Sequence, residues 1–304
     1  MDLHQERMDA NEAAFLSRQL DVVMARTYER RYNNLKARIH FPVNREGGPG
    51  AETLTAEFYD AVGQAAIVSS YSTDWPQVDI KAGEFQVKVK SLGDSYSFSF
   101  QDVRSAMLAN RDLEARKASA ARRAIAEKEN RLAYLGSAEF GLPGAFNNPN
   151  VPIKMAAYKI GPTSTPEQIL QVLNDAINTP TLTTFGTEIA NTILVSVELY
   201  TYISSTRVST LGDKTILAHL EEVHRDKDLE IDWCVECKGA APNGADIMFV
   251  YTRDEEHIEL RIPSDFEQLP PFSDGKVTTV NCHERFAGVF IAYPLSALVV
   301  QFPL

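Results

Sequence analysis

The chain has 304 residues, of which 44% are hydrophobic and 23% charged, and a formal charge of −11 at pH 7. These values exclude a disordered chain, a collagen and a disulfide miniprotein, and 41 acids against 30 bases argue against a generic nucleic-acid coat. Three cysteines make no disulfide framework and suit a reducing interior, the charged start Met1–Ala10 is no signal peptide, and no apolar run is long enough to span a membrane.

Length alone suggests about two domains. Charge is uneven: residues 1–46 hold eight bases and seven acids, whereas residues 201–304 hold nine and seventeen. The first segment reads as one amphipathic helix. Asp9 and Glu12 resemble a capping box, and Leu16, Leu20, Val23 and Thr27 form a stripe with Phe15 and Val22 beside it. No neighbouring segment offers that stripe a core, so it reads as an arm. A polar stretch, Pro42 and the breaker Gly47-Gly48-Pro49-Gly50 follow.

Residues 51–97 read as a long hairpin. Tyr59–Ser72 gives one strand, and Phe85, Val87 and Val89 alternate with Gln86, Lys88 and Lys90 in the other. The tip is expected between Thr73 and Gly83, carrying Trp75-Pro76. A ribbon of this reach is marginal alone in water and needs a surface from elsewhere. Ser99 and Asp102 then cap a short helix to about Ala109, and Asp112 caps a second, Leu113–Leu135, ended by Gly136. Ala118, Ala121, Ile125 and Leu132 mark its apolar side.

The turn-rich passage Phe140–Asn150 precedes a helix opened by Thr165-Pro166-Glu167-Gln168, with Ile169, Leu173, Ala176 and Ile177 on its core face. Ile193, Val195 and Val197 suggest a strand, and helices are predicted near Tyr200–Thr206 and over Ile216–Val223. Strands are predicted at Leu229–Cys237, Asp246–Thr252, His257–Ile262, Phe286–Tyr293 and Ala297–Phe302. Helices and strands mix without βαβ alternation or internal repeat, which makes the class α+β.

Chemical signals are sparse. Cys234-Val235-Glu236-Cys237 is the one C-x-x-C, and a zinc or redox reading would recruit Cys282 and His283, or His219 and His224. On a strand, positions 234 and 237 face opposite sides, so packed thiols are expected instead. Asp254-Glu255-Glu256-His257 lacks calcium-loop spacing and reads as a solvated loop, and the glycine breaker lacks the Lys-Ser/Thr of a phosphate loop. No G-x-S-x-G occurs, so no enzyme, cofactor or metal site is assigned. Arg116, Lys117, Arg122 and Arg123 on the long helix fit either a solvated face balanced by Glu127 and Glu129, or a surface that meets phosphates or a neighbouring subunit's acids. Trp75 on a hairpin tip points either to an interface or to packing on its own chain.

The order of parts resembles the tailed-bacteriophage major capsid proteins of the Hong Kong ninety-seven fold. Glu52–Ile80, Ile80–Asp102, Leu113–Asn130 (LEARKASAARRAIAEKEN) and Phe140–Val151 (FGLPGAFNNPNV) carry the resemblance, and beyond residue 200 it rests on the order of elements. It implies an N-terminal arm (1–46), an extended hairpin loop and its base (47–97), and a peripheral domain (98–154) with a spine helix at 113–135. An axial domain (155–285) and return strands to the peripheral domain (286–304) complete the division. It also implies self-assembly into hexamers and pentamers of an icosahedral shell around non-specifically held double-stranded DNA. Scaffolding, portal and cement proteins would be separate partners, since no scaffolding segment precedes the arm, and no membrane is involved. The setting implied is the virion, assembled in a bacterial host's cytoplasm; an encapsulin-like nanocompartment shell is the alternative. The assembly contacts implied are Leu16, Leu20, Val23, Trp75, Lys81, Arg116, Arg122 and Arg123. Some members crosslink a Lys to an Asn; Lys81 lies near the expected tip, but no catalytic Glu or partner Asn can be assigned, and that activity is not carried over.

Overall fold

A computed structural model describes residues 34–62, 79–108, 113–161, 164–209 and 213–303. Leu35–Leu304 forms one unit. The arm helix with Leu16, Leu20 and Val23, and the hairpin tip with Trp75, lie outside the described residues.

A five-stranded mixed sheet organises the second half. We label its strands β5 (Ile153–Met155), β6 (Thr192–Val195), β7 (Glu230–Trp233), β8 (Ile247–Tyr251) and β14 (Leu298–Gln301), in the spatial order β5-β14-β8-β6-β7. Every residue of β8 is buried, and its side chains alternate between two cores. Met248 and Val250 join Ile169, Leu173, Ile177, Ile203, Ile216 and Leu220 beneath α4 (Pro166–Thr183), α5 (Val197–Ser205) and α6 (Ile216–Val223). Ile247, Phe249 and Tyr251 face the other way, toward Phe41, Tyr134, Phe146 and Phe286. Two covered faces explain why β8 reads as a continuous apolar run.

The second core is built on α3 (Leu113–Leu135), whose length matches the sequence prediction. Ala121, Ile125 and Leu132 are buried as expected, together with Ala133 and Tyr134. The helix ends where the Phe140–Asn150 turn docks on it: Ala145 N–H donates to Ala133 O and Phe146 N–H to Tyr134 O, each at 2.9 Å. Those bonds satisfy carbonyls that a helix end leaves orphaned. A side chain at Gly144 would overlap the backbone of Gly136, which explains the glycine in that motif. Tyr134, Phe41, Tyr251, Phe249 and Phe146 form a closed aromatic ring with neighbouring centroids 5.0–5.7 Å apart.

Two smaller sheets close this core. β1 (Val43–Asn44), β9 (Ile258–Arg261) and β13 (Gly288–Ile291) form one, with β9 central. In the other, β12 (Val277–Phe286) pairs with β4 (Lys90–Ser99) along all ten residues, and with β10 (Ser264–Gln268) and β11 (Phe272–Ser273) on its other edge. Sequence reasoning missed β10, β11 and β12: in β12 the buried positions Val280, Cys282, Glu284 and Phe286 include a carboxylate, which hides the apolar alternation. α2 (Phe100–Leu108) opens on the expected reciprocal cap, with Ser99 Oγ accepting from Asp102 N–H (3.1 Å) and Asp102 Oδ2 from Ser99 N–H (3.0 Å).

Three local expectations are corrected. Val197 opens α5, capped by Ser196 Oγ, and does not extend β6. The strand expected over Leu229–Cys237 stops at Trp233, and Val235–Cys237 is a 3-10 turn. The hairpin strand begins at Thr53, before Tyr59, and Asp79–Gly83 is already strand, not tip. Among the described residues, no helix is long and apolar enough to cross a membrane.

Candidate assembly surfaces

β2 (Thr53–Val62) and β3 (Asp79–Lys88) pair only with each other, from Thr53 opposite Lys88 to Val62 opposite Asp79. Ten residues at about 3.3 Å each give a ribbon roughly 33 Å long. Its base packs on the body: Val87 and Val89 are buried with Ala287, Leu54 packs beside them, and the Phe85 and Phe290 rings lie 5.7 Å apart. Farther out the cover ends, and Phe58 and Tyr59 are 58% and 68% exposed. The faces differ in chemistry. Leu54–Val87, Ala56–Phe85 and Phe58–Gly83 make one apolar face, with the Phe58 ring covering the glycine. Glu57 lies directly opposite Glu84 on the other, and Tyr59 Oη donates to Glu57 (2.9 Å). Like charges facing across strands destabilise an isolated ribbon. Lys81 sits within β3 opposite Asp60, not in a tip loop.

The long helix carries several exposed bases. Arg116, Arg122, Lys128 and Arg131 are exposed. Arg122 lies over the Phe266 ring, 5.2 Å from its centroid; Arg123 pairs with Glu127 at 2.8 Å; and Lys117 donates to Ser97 O at 2.6 Å. Glu129 does not balance these bases as expected: it is buried against the body, on the same side of the helix as Arg122. There Arg38 holds it through two bonds of 2.8 and 2.7 Å, from α1 (Ala37–His40), 91 residues earlier.

That clasp is a site that sequence reading did not find. Arg38 also bonds Asp265 at 2.7 Å, and Arg45 bonds the other Asp265 oxygen at 2.6 Å. Glu284 lies beside Glu129 with its Oε1 3.8 Å from Arg38, beyond hydrogen-bond reach. Burial first, then the neighbouring Glu129, pushes the Glu284 carboxyl up to about 8. Hydrogen bonding to Glu129 raises the Arg38 guanidinium above its ordinary value. Nearby, Lys36 Nζ bonds Asp232 at 2.6 Å and lies 3.7 Å over the Trp233 ring. His40 Nδ1 accepts from Tyr134 Oη at 2.6 Å and its Nε2 donates to Asp232 at 3.0 Å; burial lowers its pKa and favours this neutral form. These partners fasten residues 36–45 to α3, β7 and β10, although no local pattern announced them.

Two isolated surfaces stand out. Phe185 is 98% exposed, with a left-handed φ of 54°, on the turn after α4, near exposed Leu182 and Ile189. Large apolar side chains presented this way mark contact sites. His257 is not in a purely solvated loop, since its Nε2 meets Glu188 at 2.9 Å and its Nδ1 meets Asp254 at 3.3 Å. Among the described residues no group of three or more His, Cys, Asp or Glu could hold a metal ion.

Among the described residues, a body with two cores carries a ribbon that pairs with no other strand and exposed apolar side chains at Phe58, Tyr59 and Phe185, features of a chain that meets other chains. The chain belongs to the major capsid protein family, whose model matches residues 63–301. No curated protein matches it. Among solved structures, the capsid of Myoviridae phage XM1 superposes with a TM-score of 0.84 at 16% identity, over 94% of this chain and 98% of that one. Mycobacterium phage Ogopogo gives 0.62 at 11% identity, over 95% and 98%. The capsid of a native GTA particle gives 0.63 at 11% identity, over 93% and 95%. These likenesses bear on the fold; the family match carries the role.

Proposed function

We propose that copies of this chain close an icosahedral shell of hexamers and pentamers around double-stranded DNA, by exchanging ribbons and arms between neighbours. The observation that carries this is the β2–β3 ribbon, which among the described residues pairs with no other strand and exposes Phe58 and Tyr59. Heterologous contacts of this kind close into rings. Opposite charge favours one seat: the Glu57–Glu84 face of a ribbon against Arg116, Arg122 and Arg123 of the next copy's α3, with Lys81 on the opposite face. Leu16, Leu20, Val23 and Trp75 would supply the apolar part of the exchange.

The proposed division is arm (1–46), extended loop (47–97), peripheral domain (98–154) with α3 as spine, axial domain (155–285) and return strands (286–304). In this reading the subunit performs no catalysis. It assembles in a bacterial host's cytoplasm, with separate scaffolding, portal and cement proteins. The net negative charge suits a wall that must let DNA move during packaging, because a dense basic lining would bind phosphates tightly. Sedimentation and negative-stain microscopy of virions should show megadalton icosahedra holding nuclease-protected double-stranded DNA. A stable monomer under all native conditions, or enclosed protein cargo in place of DNA, would contradict the reading.

A further inference from the structure

The C-x-x-C of the chain does not lie along a strand. Cys234 ends the extended segment after β7, and the 3-10 turn Val235–Cys237 swings the second cysteine back. The two Sγ atoms therefore face each other at 2.8 Å, less than 1 Å beyond a covalent S–S bond of about 2.0 Å. Both residues are buried, 2% and 0% exposed, and Cys282 is the remaining thiol of the sequence. Among the described residues no third ligand joins the pair in a metal-holding group.

The turn is also wired to the start of the described chain. Glu236, between the cysteines, accepts a hydrogen bond from Asn130 Nδ2 on α3. The Oδ1 of the same Asn130 accepts from the backbone N–H of Lys36 and of Ala37, each at 3.0 Å. The position of the thiol turn thus sets Glu236, then Asn130, then the first turn of α1.

We propose that Cys234 and Cys237 are a redox-closable pair, reduced to thiols in a reducing medium and joined as an intrachain disulfide by a small-molecule disulfide in an oxidising one. The exchange balances in two steps. The Cys234 sulfur, the more accessible of the two, loses its proton and attacks one sulfur of the small disulfide, expelling one small thiol. Cys237 then loses its proton and attacks the mixed disulfide at Cys234, expelling the second small thiol. Two protein thiols become one disulfide, and one small disulfide becomes two thiols. Burial, then the adjoining Cys234, raises the Cys237 thiol well above its ordinary value. A protonated thiol is a poor nucleophile, so closure is slow and waits on opening of the turn. Once formed, the bond fixes the turn and with it the Glu236–Asn130–Lys36 connection.

The test uses full-length protein, held in oxidised glutathione or in dithiothreitol, then quenched with N-ethylmaleimide under denaturing conditions and mapped by peptide mass. Oxidised wild type should carry one maleimide, on Cys282, and a peptide containing both Cys234 and Cys237 that is two hydrogens lighter; reduced protein should carry three. Proteolysis within residues 34–45 should be several-fold slower in the oxidised sample, and Cys237→Ser should abolish that difference. Three free thiols after prolonged oxidation, a persistent glutathione adduct, or disulfides between subunits would each overturn the proposal, and thiol mapping of the wild type decides it even if the variant fails to fold.

Discussion

Glu284→Gln removes a titration while keeping the shape of a buried side chain. Glu284 is 1% exposed, and its carboxyl is displaced from the ordinary 4.5 to about 8. Between those values the unfolded chain has released its proton and the folded chain keeps it, so stability falls as pH rises. The contribution is complete below about pH 4.5 and is lost as pH climbs through about 8. Each unit within that window is worth about 1.4 kcal/mol, and the loss flattens once the folded carboxyl also ionises. From pH 6 to pH 9 the total is about 2.7 kcal/mol, which for a chain of this size lowers the melting temperature by about 5 °C. The groups facing Glu284 leave this window clear: the Asp265 carboxyl is held low by its arginine partners against the effect of burial, and the Arg38 guanidinium is raised. Thermal unfolding of unassembled subunits at pH 6, 7, 8 and 9 is the assay. The wild type should lose about 5 °C relative to Glu284→Gln across the series. Parallel curves for the two proteins would refute a shared, protonated carboxyl pair at this clasp.

Other substitutions probe other parts of the account. Arg38→Met strips the buried Glu129 of its two hydrogen bonds from a half-exposed arginine and should cost about 2 kcal/mol in denaturant unfolding, the range for a lost hydrogen bond to a charged group. Gly144→Ala drives a methyl group into the Gly136 backbone and should destabilise by about 2 kcal/mol or more; a wild-type midpoint would mean that the turn does not dock as described. Phe185→Ser should leave subunit stability within about 0.5 kcal/mol, because the ring is 98% exposed, yet reduce the yield of sedimenting particles. Unchanged assembly would remove Phe185 from the contact surface.

Local patterns announced some elements and were silent on others. α3 was legible because a helix-favouring run ends at Gly136, with the expected Asp112 cap outside the described residues, and the Thr165 and Ser99 caps carry their partners within three residues. β8 and β14 were legible as short apolar runs. β12 was not, because most of its partners lie on β4, some 190 residues earlier, and its side chains alternate only in part. The cysteine pair was misplaced because alternation through Ile231 and Trp233 looked like continuing strand, whereas the backbone turns at Cys234. The Arg38–Glu129–Glu284 clasp joins three distant segments, and charged residues look solvent-facing until the fold buries them. Of the assembly residues named from sequence, Arg122 and Arg123 already have partners on their own chain, and Glu57, Glu84 and Phe58 enter only through the proposed ribbon seat.

The central claim is that the ribbon is held by sister subunits and contributes little to its own. Cutting it back to the Ala56–Phe85 pair, and closing it with an Asn-Gly turn, removes the part beyond the packed base. Analytical ultracentrifugation of this variant beside the wild type should show a folded, cooperatively melting subunit that forms no megadalton particle. Shells at wild-type yield, or a subunit that no longer folds, would contradict the claim.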